Sequence, residues 1–138
     1  LTSNIGTSDD GGLDFARAQR AKIDAWRGAL PAGSSARVAV ARVVVPTDGA
    51  TPSQLDRYRA YVEGRTPRTE RIHGANTIIA KDIIGSTDEI VARIREDVAY
   101  QAADDYLFEL PFEFEIADWK HITEQLAGAI APELGWRP

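Results

Sequence analysis

Arg42 lies late in an otherwise apolar run, Arg37 to Val45, and shares a strand face with Val40 and Val44. In parallel α/β folds ligands gather at the C-terminal ends of the strands. A guanidinium at that place holds a phosphate or a carboxylate through its planar fork. The alternative is a structural ion pair with Glu109, which is equally late in a second apolar stretch, Asp105 to Pro111. A carboxylate between Phe108 and Leu110 needs a partner or has a raised pKa. Thr2 and Ser3 stand in a short first strand, where their hydroxyls either face the same mouth or cap a loop. Arg65, Arg68, Arg71 and His73 make a local basic stretch, readable as a lid that carries cations toward an anionic substrate or as a solvated loop.

Other chemistries find little support. The two histidines are far apart, and neither an HExxH pair nor a His/Asp cluster occurs, so no metal site is expected. His121 falls off the apolar stripe of its helix and is expected to be exposed. There is no GxGxxG, no P-loop and no GxSxG. Between Asp82 and Asp118 eleven carboxylates face two arginines, which reads as a solvated acidic face.

The elements that must position these residues follow from periodicity. Leu13 to Leu30 is a helix with Phe15, Ala16, Ile23, Trp26 and Leu30 on one face and Gln19 among them. Arg37 to Val45 is a strand apolar on both faces, as in a central parallel strand. Thr51-Pro52-Ser53-Gln54 has the form of a capping box with Pro at the first helical position, opening a short helix that closes at Gly64. Residues 65–76 show no period, and 77–84 read as a short strand or an extended connection. Ser86-Thr87-Asp88-Glu89 is a second capping box, followed by Ile90, Ile94 and Val98 at helical spacing. Asp105 to Pro111 is a strand, and Ile116 to Ile130 a last helix with Trp119, Ile122, Leu126 and Ile130 as its stripe, ended by Pro132. Strands alternating with helices mean parallel βαβ units, with three or four strands in the sheet.

The 138 residues include 16 basic and 21 acidic ones, for a net charge of −5. This length fits one domain and is too short for a complete (β/α)8 barrel, which needs roughly 200 residues or more. The acidic balance argues against nucleic acid or an anionic membrane as partner. Cysteine is absent, which removes disulfides, Cys-ligated zinc and thiol catalysis and fits a cytoplasmic protein. No apolar stretch approaches the roughly 18 residues of a membrane span, and the first residues do not read as a signal peptide. Methionine is absent even at position 1, and its removal before a bulky Leu1 is unfavourable. The sequence is therefore expected to continue upstream.

Two stretches carry a specific resemblance. Ile84-Gly85-Ser86-Thr87-Asp88-Glu89-Ile90-Val91-Ala92-Arg93-Ile94 is similar to the Gly-Ser/Thr-Pro-Glu-Glu-Val helix start of the bacterial luciferase-like flavin monooxygenases. Pro132-Glu133-Leu134-Gly135-Trp136-Arg137 resembles the tail of their last helix. Between them, Asp104 to Leu110 matches their last strand, Arg37 to Pro46 resembles their seventh strand, and Leu1 to Gly6 the end of their sixth. The resemblance implies the C-terminal portion of a (β/α)8 TIM barrel, one partial-barrel domain over residues 1–138 with a variable insertion at about 47–82 that covers the substrate. It implies a reduced flavin, FMN or in one branch a deazaflavin, at the C-terminal mouth, and oxidation of a small organic substrate. In that setting Arg42 is the catalytic candidate, Thr2 and Ser3 touch the cofactor, and Arg71, His73 and Glu109 touch the substrate. The N-terminal strands and phosphate-binding loop of that family lie outside this chain, so by itself it is expected not to hold FMN. A partial barrel exposes strand edges, so the chain is expected to form a homodimer or to stay bound to the missing N-terminal part. The alternative is a non-catalytic oligomerisation or remnant domain.

Overall fold

A computed structural model describes residues 4–6, 14–69 and 77–136. The elements are β1 (Asn4–Gly6), α1 (Phe15–Gly28), β2 (Ala39–Pro46), α2 (Pro52–Arg65), β3 (Thr77–Ile79), β4 (Ile83–Gly85), α3 (Thr87–Glu96), β5 (Asp105–Glu109), α4 (Ile116–Gln125) and α5 (Ala131–Glu133). No described helix is long and apolar enough to cross a membrane. Thr2, Ser3, Arg71 and His73 lie outside the described residues.

The centre is β2. Every residue from Val40 to Pro46 is buried, because both edges and both faces of the strand are covered. It runs parallel to β4 on one side, Val44 beside Ile83, and parallel to β5 on the other, Ala39 beside Asp105. The sheet order is β4-β2-β5. The expected parallel α/β arrangement is present with three strands. The first strand does not join it: β1 pairs antiparallel with β3 as a separate two-stranded sheet, and β4 occupies the edge of β2 that a further strand would need.

Both capping boxes form. Thr51 Oγ1 accepts from the Gln54 N–H at 3.3 Å while Gln54 Oε1 accepts from the Thr51 N–H at 3.0 Å. At α3, Ser86 Oγ accepts from the Glu89 N–H at 3.4 Å, and Glu89 Oε2 accepts from the Ser86 N–H at 2.8 Å. A Cβ on Gly85 would lie 2.5 Å from that Glu89 oxygen, so a side chain there would push Glu89 out of its place in the cap. The Thr87 N–H donates to Asp48 Oδ2 at 2.7 Å, so the turn after β2 places a carboxylate on the positive end of α3.

The core joins β2 to α2, α3 and the C-terminal helices through Val44, Val45, Tyr58, Ile90, Ile94, Ile122, Leu126 and Ile130. The last helix is continuous past its expected end. Between α4 and α5 the chain widens into a π turn, Leu126–Ile130, which keeps Leu126 and Ile130 buried and carries the helix through Pro132. Helix α2 also runs beyond Gly64, to Arg65 and a 3₁₀ turn at Thr66–Thr69. Helix α1 docks through Gln19 and Ile23, leaving Trp26 partly exposed.

Removing the Ser86 hydroxyl (Ser86→Ala) is expected to cost about 1 kcal/mol, and truncating the fully buried Ile94 to Ala about 2–5 kcal/mol. Urea denaturation should show both as lower midpoints at unchanged slope, with the Ile94 variant the more damaged. The reverse ranking would mean that the helix is held by its cap rather than by its buried face.

Candidate functional site

Arg42 is in the middle of β2, and its side chain turns to the sheet face covered by α1. There it is almost wholly buried, with 4% of the side chain exposed against 11% for its partner Asp97. Its Nε and Nη2 donate to Asp97 Oδ2 at 3.1 and 2.6 Å. Nη2 also donates to Gln19 Oε1 at 2.7 Å, and Nη1 to the Ala41 carbonyl at 2.8 Å. The Phe15 ring lies 5.0 Å from the guanidinium carbon. Asp97 is equally engaged, since its Oδ1 accepts from the Ala99 and Tyr100 amides at 2.8 and 3.3 Å. This cluster clasps α1, β2 and the segment after α3 together.

The alternative pairing of Arg42 with Glu109 does not form. The register sets Arg42 beside Phe108 and Val43 beside Glu109. Side chains alternate along a strand, so Glu109 is on the opposite face of the sheet from Arg42. The real partner, Asp97, lies in the acidic stretch that reads from sequence as a solvated face. That reading also fails at Asp82 and Asp118, both buried. Arg65 Nε and Nη2 donate to Asp82 at 2.6 and 3.2 Å, with the guanidinium over Tyr61. The first arginine of the basic stretch is thus a clamp on β4's approach. Arg57 donates through Nε and Nη2 to the two oxygens of Asp118 at 3.0 and 2.8 Å. Those bonds, opposed by burial and aided by Gln54 and the Glu115 amide, hold the Asp118 carboxyl below its ordinary 3.8. Outside the core, Arg27 meets Asp104 and Arg37 meets Asp105. The Val38 amide and Arg27 lower the Asp104 carboxyl, and Arg37 lowers that of Asp105.

His121 is not simply exposed. Its Nε2 lies 2.8 Å from the Asp48 carbonyl, which can only accept, so the proton is on Nε2. Nδ1 then accepts from the Tyr58 hydroxyl at 3.1 Å. Tyr58 is fully buried and stacked on Phe114, and burial pushes its phenol up to about 12. The chain Tyr58–His121–Asp48 ties α2 and α4 to the turn that anchors α3. Sequence reading missed this set. The signal that remains is a Tyr and a His, each one helical face away from apolar neighbours.

A groove of about 1010 Å³ lies between β5 and the C-terminal helices, lined by Tyr106, Leu107, Phe108, Leu126, Leu134 and Trp136 among others. The Tyr106 hydroxyl is buried there with no hydrogen-bond partner among the described residues, and burial raises its pKa, so it stays a neutral phenol. The groove's described lining includes no Lys, Arg, His or Cys. Among the described residues no group of three or more metal-ligating side chains gathers. Among the described residues the cation expected to meet a flavin, Arg42, is instead engaged by Asp97. What they build is an apolar groove beside a set of closed ion pairs.

Comparison with protein-family models, with curated proteins and with solved structures finds no match to this chain.

Two outcomes follow from the buried pairs. Asp97→Ala leaves Arg42 buried without a counter-charge and is expected to lose about 3–5 kcal/mol. Replacing both Arg42 and Asp97 by Leu should recover much of that loss in urea titrations. A loss in the double variant equal to the sum of the two single-variant losses would show the two residues to be uncoupled. The lowered Asp118 carboxyl contributes stability that is present above its unfolded-state value and lost as pH falls through its folded value. The melting temperature should therefore be level from pH 7 to about 5 and fall below about pH 4. Asp118→Asn should melt lower at pH 7 and show a shallower acid decline; an unchanged decline would remove Asp118 from the account.

Proposed function

We propose that this chain is the C-terminal part of a luciferase-like, flavin-dependent oxidoreductase acting on a small organic substrate. In this reading it forms the C-terminal portion of a (β/α)8 barrel. The observation that carries the reading is the step from β4 into α3. The Gly85-Ser86-Thr87-Asp88-Glu89 stretch on which the resemblance rests forms a reciprocal cap at a strand-to-helix turn. Helix α3 then leads to β5, which is a parallel neighbour of β2, as consecutive barrel strands are. The carry-over is of architecture and parentage. Since the described residues do not assemble a flavin site, FMN or a deazaflavin would be held by other residues of the whole protein. The role left to this chain's described residues is to close the sheet and to exclude water from it.

A second reading, a non-catalytic association module of the same descent, is favoured by one observation. Arg42, the residue best suited to touch an anionic ligand, is closed off by Asp97 and Gln19, while Phe112 and Ile116 are almost fully exposed. Titrating the intact gene product with FMN and with a deazaflavin, and following the quenching of flavin fluorescence, separates the two. Saturable binding by the intact protein and none by residues 1–138 alone is the expected result. Binding of neither cofactor by the intact protein would refute the oxidoreductase reading and leave the association module.

A further inference from the structure

Strand β2 ends in a tight turn, Thr47-Asp48-Gly49-Ala50. The Ala50 N–H donates to the Thr47 carbonyl at 3.2 Å, and Gly49 has φ +73°, a value that favours glycine. Asp48 and Gly49 are both exposed. Outside its chain neighbours, a Cβ on Gly49 would meet only Nε2 of Gln125 at 3.8 Å and Nε2 of His121 at 4.0 Å. The amide between the two residues is therefore open to water and to the aspartyl side chain before it. The chain has one other Asp-Gly pair, Asp10-Gly11.

Aspartate before glycine can rearrange, because no Cβ on the glycine keeps its nitrogen from the aspartyl Cγ. The Gly49 nitrogen attacks Cγ of the protonated Asp48 carboxyl. The new N–Cγ bond closes a five-membered succinimide, and the N–H hydrogen leaves with the carboxyl OH as water. A second water then opens the ring. Breaking the N–Cγ bond restores aspartate. Breaking the bond from the nitrogen to the old main-chain carbonyl carbon gives isoaspartate, whose main chain runs through Cβ and Cγ. Nothing is oxidised or reduced, and water is the one co-reactant.

Both reacting groups are held by distant parts of the fold. Asp48 Oδ2 accepts from the Thr87 N–H at 2.7 Å, which aims the carboxyl at the start of α3. The Asp48 carbonyl accepts from His121 Nε2 at 2.8 Å. That carbonyl and the Gly49 nitrogen share one planar peptide unit, so fixing the oxygen also fixes the nitrogen. We propose that Asp48-Gly49 is an isoaspartate-forming modification site, held back by the Thr87 amide and His121, whose conversion unfastens α3 and α4 from the turn. Isomerisation adds a carbon to the main chain and moves the free carboxylate off Cγ. Neither Thr87 nor His121 then keeps its partner in place. The site stands apart from the flavin and from the parentage of the chain.

Thr87→Pro removes the restraining N–H and little else. Proline is accepted at the first helical position. Ser86 before it has φ −65° and ψ 164°, the extended backbone that a residue before proline adopts. Helix α2 already begins this way, with Thr51 before Pro52. The intact gene product and its Thr87→Pro variant are aged in neutral buffer and in guanidinium chloride. Peptide mapping with electron-transfer fragmentation then reads isoaspartate at Asp48, with Asp10 as internal reference. In buffer the unsubstituted protein should convert Asp48 at least about tenfold more slowly than in denaturant. Thr87→Pro should raise the rate in buffer roughly tenfold, ~1.4 kcal/mol, the scale of one hydrogen bond to a charged group. The rate at Asp10 should not change. Conversion of Asp48 as fast in buffer as in denaturant, or no faster in Thr87→Pro, would overturn the restraint. Absence of isoaspartate at Asp48 in denaturant while Asp10 converts would overturn the site. The comparison of buffer with denaturant needs no variant, so it decides even if Thr87→Pro folds poorly.

Discussion

A buried arginine needs a counter-charge, and this fold is arranged around supplying one. Arg42 stands in the central strand with almost no exposure, so its guanidinium is tolerable only because Asp97 and Gln19 are brought to it. Those two residues come from 23 positions before and 55 positions after it. Meeting that one requirement fixes where α1 lies across the sheet and where the chain turns after α3. The pair adds little net stability by itself, because desolvating two ions offsets most of their attraction. Its effect is to forbid arrangements in which the three segments are apart. The Arg57–Asp118 and Arg65–Asp82 pairs impose the same condition on α2 against α4 and on α2 against β4.

The local elements were legible because their signals are local. The two capping boxes, the apolar run of β2 and the i+4 spacing of Ile90 and Ile94 each lie within one turn or one strand. The pairings were not legible. Nothing in the run 82–118 distinguishes Asp97, Asp82 and Asp118 from the eight carboxylates beside them; only the fold decides that Asp82 and Asp118 go inside and that Asp97 reaches Arg42. The Arg42–Glu109 alternative failed by a single register position, which is enough to put two side chains on opposite faces of a sheet. Gln19 within the apolar stripe of α1 was the one visible hint that a buried polar partner was needed. Histidine 121 was misplaced because periodicity describes a helix alone, whereas its partners come from α2 and from the turn after β2.

For function, the closed state of Arg42 and the open state of β5 belong together. The side chains best suited to bind anions are engaged inside the chain, and the surface left over is apolar and carries an unpaired strand edge. Contiguous exposed apolar surface is common where proteins meet other polypeptide. Under the proposed oxidoreductase reading, chemistry at the strand ends would belong to the assembled sheet of the whole protein.

The distribution of the clasps along the chain has a consequence for how the molecule comes into being. Among the described residues five arginine–aspartate pairs cross the fold; their arginines all precede residue 66 and their aspartates all follow residue 81. Residues 1–69 hold ten basic and seven acidic side chains, and residues 70–138 hold six and fourteen. A ribosome therefore releases β2 and its cations well before the carboxylates that neutralise them have been translated. Within residues 1–69 the balance is basic, by residue 104 it is even, and the second neighbour of the central strand is supplied only when β5 follows.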